Sequence, residues 1–333
     1  MRIVSLLPSA TEICFALGLG DELVGVTHEC DYPAEALSKP KVTSASPHEG
    51  LSSRDIDSLV RFSLTKNGDP LYTLDEEKLE ELQPDLILTQ QLCTVCAVSF
   101  DTVRSIASRL SSRPKVESIE PQMIREVFKS FRRIAQICGK LDTCAPRIAR
   151  FEERYRNVGM LVRGLNFPRV VVLEWLDPPF GSGHWVPELV AKAGGNNAIG
   201  AGIYGKFFRR PSPEITWREI RDARPDVIVA AACGFGIERQ KQELEIIVRE
   251  MGLNATARER HGAPKLFICD GAHYFSRPGP RLVDTTEMLG MLLHPELEIE
   301  YGSQFQSGID YEFINYASKT YDAYWKPEWP REI

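Results

Sequence analysis

The stretch LEELQPDLILTQQLC, residues 79–93, decides the fold class. Its first half reads as a short helical approach. Pro84 ends that approach, because a proline ring disfavours helical backbone in the residue before it, and Asp85 suits the turn that follows. Leu86, Ile87 and Leu88 then make a run that is apolar at every position rather than at alternate ones. Such a run suits a strand covered on both faces, as in a parallel sheet with helices above and below. The plan returns in IRDARPDVIVAAACG, residues 220–234, with Pro225, Asp226 and the apolar run 227–232. The repeat predicts an α/β fold of two similar Rossmann-like lobes with parallel sheets.

Other elements fit around these two. RIVSLL (2–7) and ELVGVT (22–27) read as strands on either side of PSATEICFALG, where Ser9 and Glu12 match a helix cap and Gly18 a helix end. RVVVLEW (169–175) and KLFICDG (265–271) read as strands, and VPELVAKAGG (186–195) as a helix closed by glycines. Residues 121–163 read as helical. Within them Ile148, Phe151, Tyr155, Val158 and Val162 recur at spacings of three and four, and Pro146 stands where a helix start tolerates it. The expected organisation is an N-terminal lobe over 1–118, connecting helices over 119–163 with one long helix joining the lobes, and a C-terminal lobe over 164–295. An aromatic-rich arm over 296–333, from Tyr301 and Phe305 to Trp325 and Trp329, is expected to pack on the body with ring faces buried.

The chain of 333 residues is too long for one simple core, which agrees with two lobes. A net charge of −6 and a pI near 5.7 argue against nucleic acid as a partner, because phosphate binding wants a basic face. No run of eighteen apolar residues predicts a membrane span. The opening MRIVSLLPSATEICF lacks the unbroken apolar core and small-residue cleavage site of a secretory signal, so a cytoplasmic location is expected. In a reducing compartment the eight cysteines are expected to be free, metal-bound or catalytic rather than disulfide-bonded. Cys14, Cys138 and Cys269, set among apolar residues, read as small core hydrophobes.

Parallel sheets bind ligands beyond the carboxyl ends of their strands. The residues just after each predicted strand therefore outline the site. They are Pro8 and Ser9; His28, Cys30 and Tyr32; Gln91, Leu92, Cys93 and Cys96; Phe180, His184 and Trp185; Cys233 and Phe235; and His273, Tyr274, Phe275 and Arg277.

Three chemistries compete for them. No G-x-S-x-G elbow, phosphate loop or dinucleotide fingerprint follows a strand, so no enzyme and no catalytic cofactor are expected; the residual catalytic reading is a Cys93 nucleophile with His28 or His184 as base. A metal or metal-chelate site could draw thiolates from Cys93 and Cys96 and complete its set with His28, Cys30, His184 or His273. The third reading is a cleft for a large, partly apolar small molecule. Tyr32, Phe180, Trp185, Tyr274 and Phe275 would supply stacking area, and Gln91, Ser182 and Arg277 would fix polar edges.

The order of several blocks resembles the class III periplasmic binding proteins, and most closely their cobalamin-binding members. The blocks are RIVSLLPSATEICFALGLGDELVGVTHECDYP, PDLILTQ, PPFGSGHWVPELVAKAGGNNAIG, PSPEITWREIRDARPDVIVAA and SRPGPRLVDTTEML, which together cover about residues 2–295. The resemblance implies two α/β lobes joined by a long helix, with a corrinoid such as cobalamin as ligand in the cleft between them. By motif, Pro8, Tyr32 and the Gln91-Leu92-Cys93 loop would line the first lobe, and Phe180 and Phe275 with Arg277 the second. Family members that feed a permease present one exposed Glu on each lobe; here Glu77 matches the first, but Arg218 stands at the second. Docking on a membrane permease is therefore not expected, and capture, storage or handover of the small molecule is. Two further departures are Ser212 in place of an aromatic contact and His273 in place of a small acidic residue.

Overall fold

A computed structural model of the chain describes residues 1–45, 50–63, 72–90, 98–203, 206–207, 210–253, 263–307 and 309–314. The chain divides into two compact units, one of Met1–Arg154 with Arg277–Pro280, the other of Tyr155–Ser276 with the residues from Arg281 on.

In the first unit the strands are β1 (Ile3–Ser5), β2 (Leu23–Val26), β3 (Thr43–Ala45), β4 (Tyr72–Leu74), β5 (Leu86–Thr89) and β6 (Lys115–Ser118). Four of them form a sheet in the order β2-β1-β5-β6, parallel throughout, and β3 and β4 make a separate antiparallel pair. The helices are α1 (Pro8–Leu17), α2 (Ser53–Ser63), α3 (Glu76–Leu82), α4 (Phe100–Arg109), α5 (Ile124–Ile137) and α6 (Leu141–Leu161). Val4 and Ile87 from the sheet pack with Leu79 of α3 and Val103 and Ile106 of α4 in one buried cluster.

The second unit holds β7 (Arg169–Leu176), β8 (Pro179–Gly181), β9 (Asn196–Asn197), β10 (Gly202–Ile203), β11 (Lys206–Phe207), β12 (Val227–Ala230), β13 (Lys265–Cys269) and β14 (Tyr311–Phe313). Its main sheet runs β14-β13-β12-β7-β8, with β9 also on β7. The centre is parallel, whereas β8 and β14 are antiparallel edges. Its helices are α7 (Val186–Lys192), α8 (Trp217–Asp222), α9 (Ile237–Lys241), α10 (Leu244–Glu250) and the buried helix Arg281–Leu293.

The α/β expectation with parallel sheets holds, and the repeated Pro-Asp stretch is the same device twice. After α3, Gln83 takes left-handed backbone at φ 44°; after α8, Arg224 does so at 45°. Asp85 Oδ2 accepts the Arg2 amide at 2.7 Å, and Asp226 Oδ2 accepts the Arg169 amide at 2.7 Å. The Arg2 Nε donates to the Leu82 carbonyl, and the Arg169 Nε to that of Ala223. Each Asp carbonyl accepts the first amide of the next strand, at Lys115 and Lys265. The two turns thus tie a helix end to two neighbouring strands by matching bonds.

Three local expectations are corrected. Ser9 does not cap α1; Leu7 occupies the cap position without a side-chain bond, Pro8 starts the helix, and Ser9 and Glu12 are buried. Proline at the start needs no capped amide, which leaves Glu12 for a distant partner. Gly18 does end α1, at φ 78°. Residues 121–163 form two helices, α5 and α6, and Pro146 lies inside α6. There it leaves the carbonyl four residues back without its helical donor. The boundary between the units falls within α6, at Arg154 and Tyr155. Finally, the segment after β7 is the hairpin partner β8, reached through a turn that holds a cis Asp177-Pro178 bond, and not an open loop.

Part of the aromatic arm is a sheet edge. Phe313 stands opposite Phe267 with ring centroids 5.4 Å apart, and Tyr301, Phe305 and Tyr311 are buried. Lys241 Nζ of α9 lies 2.5 Å from Glu312 Oε2, fastening the edge from the side.

Candidate functional site

In the first unit, the ends of β1 and β2 carry Pro8, His28 and Tyr32. Tyr32 is 48% exposed and precedes a cis Pro33. His28 is fixed: its amide and its Nδ1 both meet Thr43 Oγ1, at 3.0 and 2.7 Å, and its ring lies 5.7 Å from Tyr72. Cys30 is buried beside Thr11 Oγ1 at 3.1 Å, and burial pushes its thiol up to about 11. A thiol that holds its proton at neutral pH is a poor nucleophile. Gln91, Leu92, Cys93 and Cys96 lie outside the described residues.

Arg277 also belongs here. It was expected to line the second lobe, but Arg277–Pro280 is part of the first unit. Its Nη1 lies 2.5 Å from Asp31 Oδ1 and 3.2 Å from Glu12 Oε1, and its Nη2 donates to the Glu29 carbonyl. Burial works against the guanidinium charge, but the Asp31 and Glu12 carboxylates outweigh it and raise its pKa. A buried Glu12 needs a cation, and Arg277 supplies it from 265 residues away.

In the second unit β8 carries Phe180, and the turn between β8 and α7 carries His184 and Trp185. The His184 and Trp185 rings lie 5.4 Å apart, and Trp185 Nε1 donates to the Phe275 carbonyl at 2.9 Å. His184 holds left-handed backbone at φ 49°, and burial lowers its pKa, keeping the ring neutral at neutral pH. The structure thus brings His184, Trp185 and the Phe275 backbone together.

The segment after β13 is a single wide helical turn, Gly271–Phe275, capped by Asp270. Asp270 Oδ1 accepts the His273 amide at 2.9 Å, and its Oδ2 lies 2.7 Å from His273 Nδ1. A carboxylate that close to a ring nitrogen fixes the orientation of the imidazole. Three expected contacts are corrected here. The Phe275 ring is only 2% exposed and serves packing. Tyr274 donates its hydroxyl to Asp310 Oδ1 at 2.6 Å; burial and that bond raise its pKa, so its polar tip is committed to the arm. Ser182 is fully buried and donates to Asn197 Oδ1 at 2.9 Å.

Sequence reasoning missed Glu174. Its carboxylate sits beside Trp175 on β7 and accepts the Gly183 amide at Oε1, 2.8 Å, and the Ser212 hydroxyl at Oε2, 2.6 Å. Burial, opposed by these two donors, pushes it up to about 7. The signal was present: one acid inside the otherwise apolar strand RVVVLEW. Asp310 was missed because its partner Tyr274 lies on a separate segment, and Asp270 although its partner His273 is three residues on.

Among the described residues, no three His, Cys, Asp or Glu side chains are grouped to hold a metal ion. His28, His184 and His273 each keep separate surroundings. No described helix is long and apolar enough to cross a membrane. What the described loops offer is ring faces, backbone amides and one carboxylate-backed imidazole: the means to hold a flat, partly polar molecule.

In sequence, the vitamin B12-binding protein of Vibrio cholerae is 22% identical over 297 residues, covering 86% of this chain and 87% of that protein. The crystal structure of the periplasmic vitamin B12 binding protein of V. cholerae superposes with a TM-score of 0.59 at 20% identity, over 88% of this chain and 96% of that one. The periplasmic heme-binding protein RhuT from Roseiflexus sp. RS-1 gives 0.61 at 23% identity, over 88% and 98%. Both structural likenesses speak for the fold. Residues 3–260 match the family described as periplasmic binding protein, and the chain belongs to that family.

Proposed function

We propose that the protein is a binding protein for a cobalamin-type corrinoid, held without turnover by the loops at the carboxyl ends of its strands. The observation that supports this reading is similarity to a vitamin B12-binding protein along 86% of the chain, joined to loops rich in rings and amide donors. A corrinoid has a broad apolar face and amide side arms, which those groups suit. A permease that reads paired acids is not part of this reading, because Glu77 and Arg218 occupy matching second positions of α3 and α8.

A second reading, a heme-like iron chelate, is favoured by His273. A carboxylate behind an imidazole raises its basicity and fixes its orientation, the support usual for metal-ligating histidines. One titration separates the two. Purified protein is titrated with cyanocobalamin, cobinamide and hemin, followed by calorimetry and visible absorbance. The first reading expects one corrinoid per chain at micromolar affinity or tighter, about −8 kcal/mol. Hemin bound in preference to both corrinoids selects the second reading, and no binding to any of the three rejects both. His273→Ala is expected to move the visible band of a bound metal chelate; a band unmoved by His28→Ala, His184→Ala and His273→Ala rules out ligation by these imidazoles.

A further inference from the structure

We propose that Glu174 is the positioning residue of the binding loop Pro179–Trp185, clipping it to the segment Arg210–Ile215 so that the Phe180, His184 and Trp185 rings are presented in one arrangement. The proposal rests on the reading that this loop contacts ligand, and adds a residue that neither motif nor family likeness marks.

The loop and the segment run as an antiparallel pair that fails midway. Ile215 donates to the Pro179 carbonyl at 2.9 Å and Gly181 to that of Pro213 at 2.9 Å. The next amide in phase is Gly183, but His184 takes the next rung instead, donating to the Arg210 carbonyl at 2.8 Å. Bonding amides alternate along a strand, so a step from 181 to 184 breaks the phase. The neighbouring Pro211 and Pro213 have no amides with which to mend it.

Gly183 is left with an amide that the ladder does not use, and a buried donor left unmet is costly. Glu174 Oε1 meets it, while Oε2 takes the hydroxyl of Ser212 on the facing segment. One carboxylate therefore bridges both strands where their own pairing lapses. The approach is too close for any other residue at 183, since an added Cβ would stand 2.2 Å from the Ser212 nitrogen. Just past the clip comes His184 in left-handed backbone, a conformation that persists only when its surroundings hold it. The ring pair His184–Trp185 and the Trp185 bond to Phe275 follow directly. Ser212, which departs from the family's aromatic, is here the second anchor of the clip.

Amide hydrogen exchange on the full chain tests this without any ligand. In Glu174→Ala, exchange at Gly183 and His184 is expected to rise at least tenfold while amides of β12 and β13 keep their protection. Glu174→Gln can still accept from Gly183 through its oxygen and donate to Ser212 through its nitrogen, so it is expected to stay within threefold of the parent. Ser212→Ala removes one anchor and should fall between. Cyanocobalamin affinity is expected to weaken about tenfold in Glu174→Ala and to recover in Glu174→Gln. Unchanged exchange at Gly183 in Glu174→Ala overturns the clip, as does Glu174→Gln exchanging as fast as Glu174→Ala. A parent protein that binds no cyanocobalamin overturns the ligand reading instead, and the exchange data alone then decide the clip.

Discussion

The two Pro-Asp turns are near copies, yet the sheets they serve differ. Pro84 and Pro225 are buried, Asp85 and Asp226 exposed, and the four residues after each are buried without exception. Around the first turn the main sheet stays parallel to both edges, and around the second it gains an antiparallel strand on either side, β8 and β14. The lesson is that the turn fixes helix, strand and neighbour at the amino end, where bonds are local. The carboxyl ends, which carry the rings and imidazoles, are free to diverge, and each divergence is stabilised by a long-range side-chain bond.

The largest effect should come from breaking such a bond. Arg277→Ala removes a buried partner of Glu12 and is expected to cost the first unit about 3–5 kcal/mol in denaturant unfolding, with faster exchange in α1 and β1. A cost below about 1 kcal/mol would mean that Arg277 is a surface contact after all.

Next is the acid of the second unit. Glu174 titrates near 7 in the fold and near 4.5 outside it. Between those values the folded chain holds a proton that the unfolded chain has released, so unfolding free energy falls as pH rises, by at most about 1.4 kcal/mol per pH unit. Below 4.5 and above 7 this contribution is level. Urea unfolding at pH 5, 6 and 7 should show the fall in the parent and not in Glu174→Gln; identical slopes would refute the raised titration.

The two turns themselves come third. Asp85→Ala and Asp226→Ala each remove one bond to a strand amide and should each cost about 1 kcal/mol. Losses that differ by more than about 1 kcal/mol would break the equivalence. Smallest of all is Arg218→Glu, which makes α8 resemble α3. The gain at the helix amino end offsets the lost Arg218–Asp222 pair, and stability should move by less than about 0.5 kcal/mol. A larger change would mean that Arg218 is held for structure.

Much of this was legible in the chain. The apolar runs and Pro-Asp turns marked β5 and β12, Gly18 marked the end of α1, and the spacing from Ile148 to Val162 marked the buried stripe of α6. These signals are short-range and set by backbone preference and burial. The site was legible as a set of loops, not as a set of contacts. Arg277, Tyr274 and Ser182 have donors suited to a ligand, but Glu12, Asp310 and Asn197 claim them first. Nothing local in the sequence distinguishes a polar group held for cargo from one held by another segment.

The placement of Arg277–Pro280 bears on how the gene can be cut. A fragment ending at Arg154, or one trimmed to the family match that ends at residue 260, lacks Arg277, a buried partner of Glu12. Such an excised half is expected to gain stability when a short peptide spanning Ser276–Arg281 is restored, by fusion or in trans. The first unit is thus a structural domain that no single uninterrupted reading of the gene encodes.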